Sequence, residues 1–145
     1  MLDDLYQQII LDHYRRPRNK GRTEPQDLMA KENNPLCGDE IEVTARLADG
    51  KIAEIKFAGH GCAISQASAS IMTTKLTGKT LAEAEEFIAG FLKMMRGEKL
   101  FGGKELGDAK ALEGVLKFPV RVKCATLPWH ALRGALHSKE GVEER

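Results

Sequence analysis

The sequence has little of what several classes of protein require. Its 145 residues include only three cysteines, an odd number that cannot all pair within one chain. The 22 basic residues are balanced by 21 acidic ones, so the net charge of +1 lacks the basic excess of most nucleic-acid-binding proteins. No apolar run approaches the roughly 20 residues of a transmembrane helix. We therefore expect neither nucleic acid nor a membrane as a partner.

The N-terminus also lacks the pattern of an export signal. Asp3 and Asp4 lie where a signal peptide carries basic residues. We therefore expect a cytoplasmic protein, in a compartment where thiols stay reduced. The length and the 42% content of hydrophobic residues fit one domain over residues 1–145 with a single ordinary core. Residues 138–145 are predicted to form a polar tail of this domain.

Hydrophobic periodicity predicts an α+β fold, with a small three-stranded antiparallel sheet packed against several helices. The N-terminal segment 2–14 has apolar residues at intervals of three and four, which is typical of a helix. Strands are predicted at 27–33 and 40–47, and Asp49-Gly50 predicts a hairpin turn into a third strand. The alternation in that third strand is imperfect, so its register stays open.

Helices are predicted from Ala63 onward. The first covers 63–76, and the second follows a capping-box sequence that begins at Thr80. The glycine-rich stretch 97–107 is predicted to be a mobile loop, and Asp108 is predicted to cap a short helix. The final helix is expected to run to about His137.

Each of the three cysteines lies in a segment that favours a reactive thiolate. Cys37 lies in a Pro/Gly turn with Asp39 two residues further on. Cys62 follows a predicted strand and opens a predicted helix, whose N-terminus favours negative charge. Cys124 follows the cation Lys123 and is expected at the start of the last helix. Three thiolates and one carboxylate make a complete tetrahedral set for zinc, or for an iron–sulfur cluster.

A structural reading of the same residues stays open. Buried cysteines are common in cytosolic proteins, and the chain has no Cys-x-x-Cys pair that would favour a metal by spacing alone. His60, between two glycines, is either a ligand or a turn residue. His13, His130 and His137 lie on predicted helices and are expected at the core edge or on the surface.

Four motifs give the chain a specific resemblance. They lie at residues 12–19, 34–39, 59–65 and 118–125, and read DHYRRPRN, NPLCGD, GHGCAIS and FPVRVKCA. In these motifs the chain resembles the IscU/NifU N-terminal family of iron–sulfur cluster assembly proteins, and within it the SufU branch. The resemblance implies a compact α+β fold in which Cys37, Asp39, Cys62 and Cys124 converge on one metal or cluster site.

Two departures from the IscU pattern favour the SufU branch. IscU proteins carry histidine directly before the third cysteine, where this chain has Lys123. They also carry a Leu-Pro-Pro-Val-Lys signal for a dedicated chaperone, which the stretch 118–122 does not match. The segment 91–112 looks like the insertion typical of SufU.

The SufU resemblance implies a bound zinc ion and a sulfurtransferase-like role. Sulfur would come from a cysteine desulfurase as a persulfide, with Cys37 as the acceptor, and would pass to a downstream scaffold or recipient apoprotein. Asp39, a harder ligand than thiolate, would keep the site labile. Lys123 either lowers the pKa of the Cys124 thiol, steers an anionic persulfide, or is a solvated lysine. The stretch 15–22 is either a landing surface for the desulfurase or a solvated loop.

Two alternatives use the same residues. The first is an IscU-type scaffold on which a [2Fe–2S] cluster is built on Cys37, Cys62 and Cys124 and then transferred. The second is a zinc-stabilised binding module without transfer chemistry. Closed structural zinc sites usually have four Cys or His ligands, and three cysteines with a carboxylate count against the second alternative.

Overall fold

The fold is a three-stranded sheet with helices packed around it, seen in a computed structural model that describes residues 2–35, 38–98 and 103–140. The elements in chain order are α1 (Leu2–Arg15), β1 (Leu28–Asn34), β2 (Asp39–Ala48), β3 (Lys51–His60), α2 (Ala63–Leu76), α3 (Leu81–Met95), a 3₁₀ segment (Gly103–Lys117) and α4 (Pro119–Glu140). The predicted α+β class is confirmed. Within the described residues, no helix has the length and apolar character needed to cross a membrane.

The sheet is antiparallel throughout, in the order β1-β2-β3. Asp49 and Gly50 both have positive φ, 55° and 74°, which matches the tight turn predicted between β2 and β3. The pairing register shifts after Arg46, so that β3 contains one extra residue at that point. This bulge explains the imperfect alternation, because Ile52 and Ile55 are both buried although they are three residues apart.

Helix α2 lies at the centre of the helical layer and has the bounds that the sequence predicts. Its small residues allow close approach on several sides. Ser68 Oγ donates to the Ala125 carbonyl at 2.5 Å and accepts from the Trp129 indole at 2.8 Å. Trp129 is fully buried and stacks on Phe91, with 4.0 Å between ring centroids. These contacts fix α4 against both α2 and α3.

The predicted capping box of α3 is present. The Glu83 backbone N–H donates to Thr80 Oγ1 at 3.1 Å, and the Thr80 backbone N–H donates to Glu83 Oε1 at 2.9 Å. Two helix-end donors are thereby satisfied, which fixes where the helix begins.

Two predictions about the C-terminal half are wrong. Gly103 to Gly107 begin a 3₁₀ segment rather than a loop, with a kink at Gly107, where φ is 56°; residues 99–102 of the predicted loop lie outside the described residues. Cys124 is not at a helix start, because α4 begins five residues earlier at Pro119, whose fixed φ suits a first helical turn. Helix α4 also continues through residues 138–140, and the rest of the predicted tail lies outside the described residues.

His13 is buried instead of lying at the core edge or on the surface. Its Nδ1 lies 2.7 Å from Ser70 Oγ, and the same hydroxyl accepts from the Arg18 backbone N–H at 2.8 Å. This contact joins α1 and the loop after it to α2. Burial lowers the pKa of His13, and nearby Arg18 lowers it further, while the Asp108 carboxylate 4.0 Å away opposes the shift.

This shift predicts a pH dependence of stability. Because the folded-state pKa of His13 lies below its ordinary value of about 6.5, the unfolded chain binds the proton more readily as the pH falls through that value. The free energy of unfolding should therefore be fully retained above about pH 6.5 and decrease below it.

We expect His13→Gln to weaken this dependence in urea unfolding of metal-free protein at about pH 7.5 and about pH 5.5. His130, whose pKa is also lowered by burial, remains in both proteins, so the slope should decrease without vanishing. An unchanged slope in the variant would contradict the assignment.

Candidate metal centre

Cys62 lies at the junction between β3 and α2. It is the residue that precedes the first turn of α2, with extended backbone (φ −72°, ψ 170°), and its side chain makes no capping hydrogen bond. The thiol is half-buried and is not in a disulfide. Because the helix does not use this side chain, the sulfur is available as a ligand.

Asp39 opens β2 and is almost completely buried, with 1% of its surface exposed. Its Oδ1 accepts the Cys62 backbone N–H at 2.8 Å, and its Oδ2 lies 3.8 Å from Cys62 Sγ. A buried carboxylate needs such partners, and a helix N-terminus supplies unpaired N–H groups and partial positive charge. The carboxylate is thereby fixed beside the Cys62 thiol.

Cys124 reaches the same place from the interior of α4, where it is fully buried. The Asn34 side-chain amide donates to its sulfur, with 3.8 Å between Nδ2 and Sγ. The candidate ligand atoms of Asp39, Cys62 and Cys124 all lie within 4.8 Å of one another. One ion contacting all three, with Zn–S about 2.3 Å and Zn–O about 2.1 Å, needs ligand atoms roughly 3.5–3.8 Å apart, so a small contraction suffices.

Gly61 makes room for this arrangement. A Cβ atom at this position would lie 2.6 Å from Asp39 Oδ1 and would also overlap Ser65 Oγ. In the structure the Asp39 carboxylate itself fills the space beside Gly61.

The donor set fits zinc. Two cysteine sulfurs and a carboxylate oxygen are all established zinc ligands, and three protein ligands are enough to hold the ion. The same set fits iron less closely, because cluster iron is usually held by thiolates throughout. The structure thus brings together three of the four residues that the sequence singled out.

Cys37, the fourth, lies outside the described residues. The described residues around it show how its segment is attached. Asn34 and Asp39 are cross-strand partners at the ends of β1 and β2, and the Gly38 backbone N–H donates to the Asn34 carbonyl at 2.8 Å. Gly38 has a φ of 73°, which favours glycine. The segment therefore leaves and rejoins the sheet beside the candidate centre.

The remaining predicted site residues lie on the surface. His60 ends β3 with 74% of its side chain exposed, and its Nε2 is 3.7 Å from Glu40 Oε1. It is not part of the described ligand cluster. Lys123 is exposed on α4, one residue before Cys124.

Asn34 is the neighbour that the sequence analysis missed as an individual residue. It appeared there only as the first letter of the Cys37 motif. The available signal was its position, since it follows Leu28 by an even number of residues along β1 and is buried like it.

Comparison with known proteins places this geometry in a family. The model of the NifU-like N-terminal domain matches residues 5–125. The chain belongs to this family. The resemblance inferred from the four motifs is thereby confirmed, and the match spans all the ligand residues of the candidate centre.

The chain is similar to several proteins over most of its length. The chain is 46% identical to the zinc-dependent sulfurtransferase SufU of Bacillus subtilis, over 97% of this chain and 95% of that protein. It is 43% identical to the iron–sulfur cluster assembly scaffold protein IscU of Streptococcus pyogenes, over 93% and 84%. A solved structure of a putative SUF-system scaffold protein from Fervidobacterium islandicum has a TM-score of 0.83 and 38% identity, covering 88% of this chain and 93% of that one.

The role of Gly61 gives a testable consequence. Gly61→Ala should displace the Asp39 carboxylate, because a methyl group cannot share its space. We expect the metal-free variant to lose about 1–3 kcal/mol of unfolding free energy, since a buried carboxylate loses its donor. Zinc affinity should fall by about tenfold or more.

Gly134→Ala is the matched control, because this exposed glycine of α4 has open space where a Cβ would be added. It should leave zinc affinity unchanged and add up to about 1 kcal/mol of stability. Urea unfolding measures the stability of both variants, and competition with a chelator measures their zinc affinity. Equal zinc affinities in the two variants would refute the role of Gly61 in making room for the Asp39 carboxylate.

Proposed function

We propose that this chain is a SufU-like protein of iron–sulfur cluster assembly, which accepts persulfide sulfur from a cysteine desulfurase at a zinc centre and passes it on. The observation that carries the proposal is the convergence of Asp39, Cys62 and Cys124. The similarity to a zinc-dependent sulfurtransferase over nearly the whole chain supports it. In this proposal Cys37 completes the ligand set and is the sulfur acceptor.

The position of Cys37 in the chain supports this role. Two peptide units separate it from Asp39, so their Cα atoms cannot be more than about 7 Å apart. Zinc with three protein ligands has room for a fourth in a tetrahedral shell. When bound, zinc would keep its cysteine ligands as thiolates.

The chemical step is a thiol–disulfide exchange. The Cys37 thiolate attacks the outer sulfur of the desulfurase persulfide and forms a new S–S bond. The S–S bond within the donor persulfide breaks, and its electron pair stays on the desulfurase cysteine as thiolate. No oxidant or reductant is needed, because one sulfur atom moves between two thiolates.

The buried ligands serve as the fixed part of this centre. Cys124 is fully buried, and Asp39 is held by the Cys62 backbone. Carboxylate oxygen is a harder donor than thiolate, so Asp39 makes the set less tightly bound than four thiolates would be. A centre that must release one ligand during transfer benefits from such a donor.

An apolar cavity beside the centre is a candidate docking surface for the desulfurase. It has a volume of about 430 Å³ and lies between α1, the start of α2, the 3₁₀ segment and the start of α4. Ala63 and Ile64, which directly follow Cys62, contribute to its wall, as do Ile10 and Phe118. Phe118 is 63% exposed, as an unpartnered docking surface requires.

The basic stretch 15–22 supports docking less well than the sequence suggested. Arg18 forms a salt bridge with Asp12 at 2.6 Å, and Arg22 forms one with Glu42 at 2.7 Å. These two of the five cations in the stretch are already paired within the chain. The apolar cavity is therefore the stronger candidate for contact with the desulfurase.

A scaffold function is the second candidate, favoured by the 43% identity to an IscU scaffold protein. In that case the cluster is the cargo, assembled on the same cysteines and then transferred. Metal analysis of protein purified without added metal separates the two. Zinc near one equivalent supports the carrier, whereas iron with inorganic sulfide supports the scaffold.

The test of sulfur transfer concerns Cys37. After incubation with a cysteine desulfurase and cysteine, mass spectrometry should find added sulfur on Cys37, and this protein should stimulate the release of alanine. Cys37→Ala should abolish both effects, because it removes the attacking thiolate. Circular dichroism should show that the variant remains folded.

Cys62→Ser, which we expect to lose zinc, is the companion control. It keeps Cys37 but loses a ligand, so sulfur transfer should fall together with zinc content. If wild-type protein acquires sulfur on no cysteine while it retains zinc, the zinc-stabilised binding module becomes the better interpretation.

A further inference from the structure

We infer that Asn34 is a positioning residue of the metal centre, whose side-chain amide holds the Cys124 sulfur in place as a fixed ligand. The inference deepens the proposed function, since it rests on zinc binding at this centre. It assigns a role to a residue that makes no direct contact with the metal in this proposal.

The contact is buried at both ends. Asn34 is 5% exposed and Cys124 is fully buried, and 3.8 Å separates Nδ2 from Sγ. Buried polar groups are nearly always hydrogen-bonded, and a buried amide beside a sulfur is an N–H···S donor. The pair bridges β1 and α4, and its two residues are 90 positions apart in the chain.

Cys124 needs such a donor more than Cys62 does. Cys62 is half-buried, so solvent stabilises part of any negative charge on its sulfur. Cys124 is inside a helix and shielded from water, so the bound metal and buried protein donors must stabilise an anionic sulfur there. Donors that contact metal ligands typically orient them and tune the metal.

Asn34 also connects Cys124 on α4 to the segment between β1 and β2. Its side chain contacts Cys124, while its carbonyl accepts the Gly38 backbone N–H at 2.8 Å. Its cross-strand partner is the ligand Asp39. One residue thus ties the segment that carries Cys37 to the buried ligand on α4.

The Asn34 amide gives Cys124 a role different from that of the acceptor, Cys37. A sulfur that accepts a hydrogen bond is held in one orientation and gives up part of its electron density to the donor. Cys124 is thereby suited to remain a ligand, while sulfur transfer takes place elsewhere. The identity of the acceptor cysteine therefore depends partly on Asn34.

The first experiment measures zinc affinity by competition with a chromophoric chelator. Asn34→Asp keeps the shape of the side chain but removes its N–H donors, and should lower zinc affinity by about 10–100-fold. Asn33→Asp is the matched control, because it makes the same chemical change at the exposed neighbour on β1. The control should stay within about twofold of wild type.

The second experiment separates a direct effect on sulfur from a general loss of structure. In protein loaded with Co²⁺, removing the N–H donor should move the sulfur-to-cobalt charge-transfer band to lower energy. Asn34→Ala, which adds no charge, should shift the band in the same direction as Asn34→Asp, and Asn33→Asp should not shift it. A merely structural role would lower the melting temperature without moving the band.

The outcomes distinguish the inference from the proposed function. Wild-type zinc affinity and an unshifted cobalt band, in whichever Asn34 variant is folded by circular dichroism, would overturn the role of Asn34 alone. Absence of zinc binding by the wild-type protein would instead contradict the proposed function.

Discussion

The candidate centre depends on one hydrogen bond, from the Cys62 backbone N–H to Asp39 Oδ1 at 2.8 Å. It places a buried carboxylate against the N-terminus of α2, where the helix offers unpaired donors. It also joins the start of β2 to the start of α2, and the whole β2–β3 hairpin lies between these two points in the chain. Gly61 permits the contact because a side chain there would collide with the carboxylate. Without this bond, the buried Asp39 carboxylate would lose the donor that holds it beside the Cys62 thiol.

The third candidate ligand, Cys124, is brought to this point by core packing rather than by local sequence. Cys124 is followed by Ala125, whose carbonyl accepts from Ser68 on α2, and Trp129 donates to the same hydroxyl one turn later. These two hydrogen bonds fix the height of α4 relative to α2. The stacking of Trp129 on Phe91 adds α3 to the same unit. The position of Cys124 is therefore set by the packing of three helices.

The local sequence pattern predicted most of the helices and strands, because each of them has a clear hydrophobic period or capping motif within its own residues. The bounds of α2 and the capping box at Thr80 follow from residues within a few positions of each other. Cys124 was expected at the start of the last helix, whereas this helix already begins five residues earlier at Pro119. The buried state of His13 was missed because its partner, Ser70, lies 57 residues away. Contacts over such distances leave no periodic trace in the sequence.

The candidate ligands could be named from the sequence, but their arrangement could not. The donor types and the family motifs pointed to Asp39, Cys62 and Cys124, and the structure brings these three together. The helix N-terminus at Cys62 was visible as a strand followed by an Ala/Ser-rich helix. Two features could be seen only in the three-dimensional structure, with its register of β1 and β2. They are the space that Gly61 leaves for the Asp39 carboxylate and the N–H that Asn34 donates to the Cys124 sulfur. Local chemistry thus suggested the ligands, while tertiary contacts determine how they are held.

X-ray absorption spectroscopy at the zinc edge tests the central claim most directly, because it counts the ligand atoms around the metal. The account predicts one zinc ion with three sulfur neighbours at about 2.3 Å and one oxygen neighbour at about 2.0–2.2 Å. A shell dominated by nitrogen or oxygen, or one with fewer than two sulfur atoms, would contradict a centre built on these cysteines.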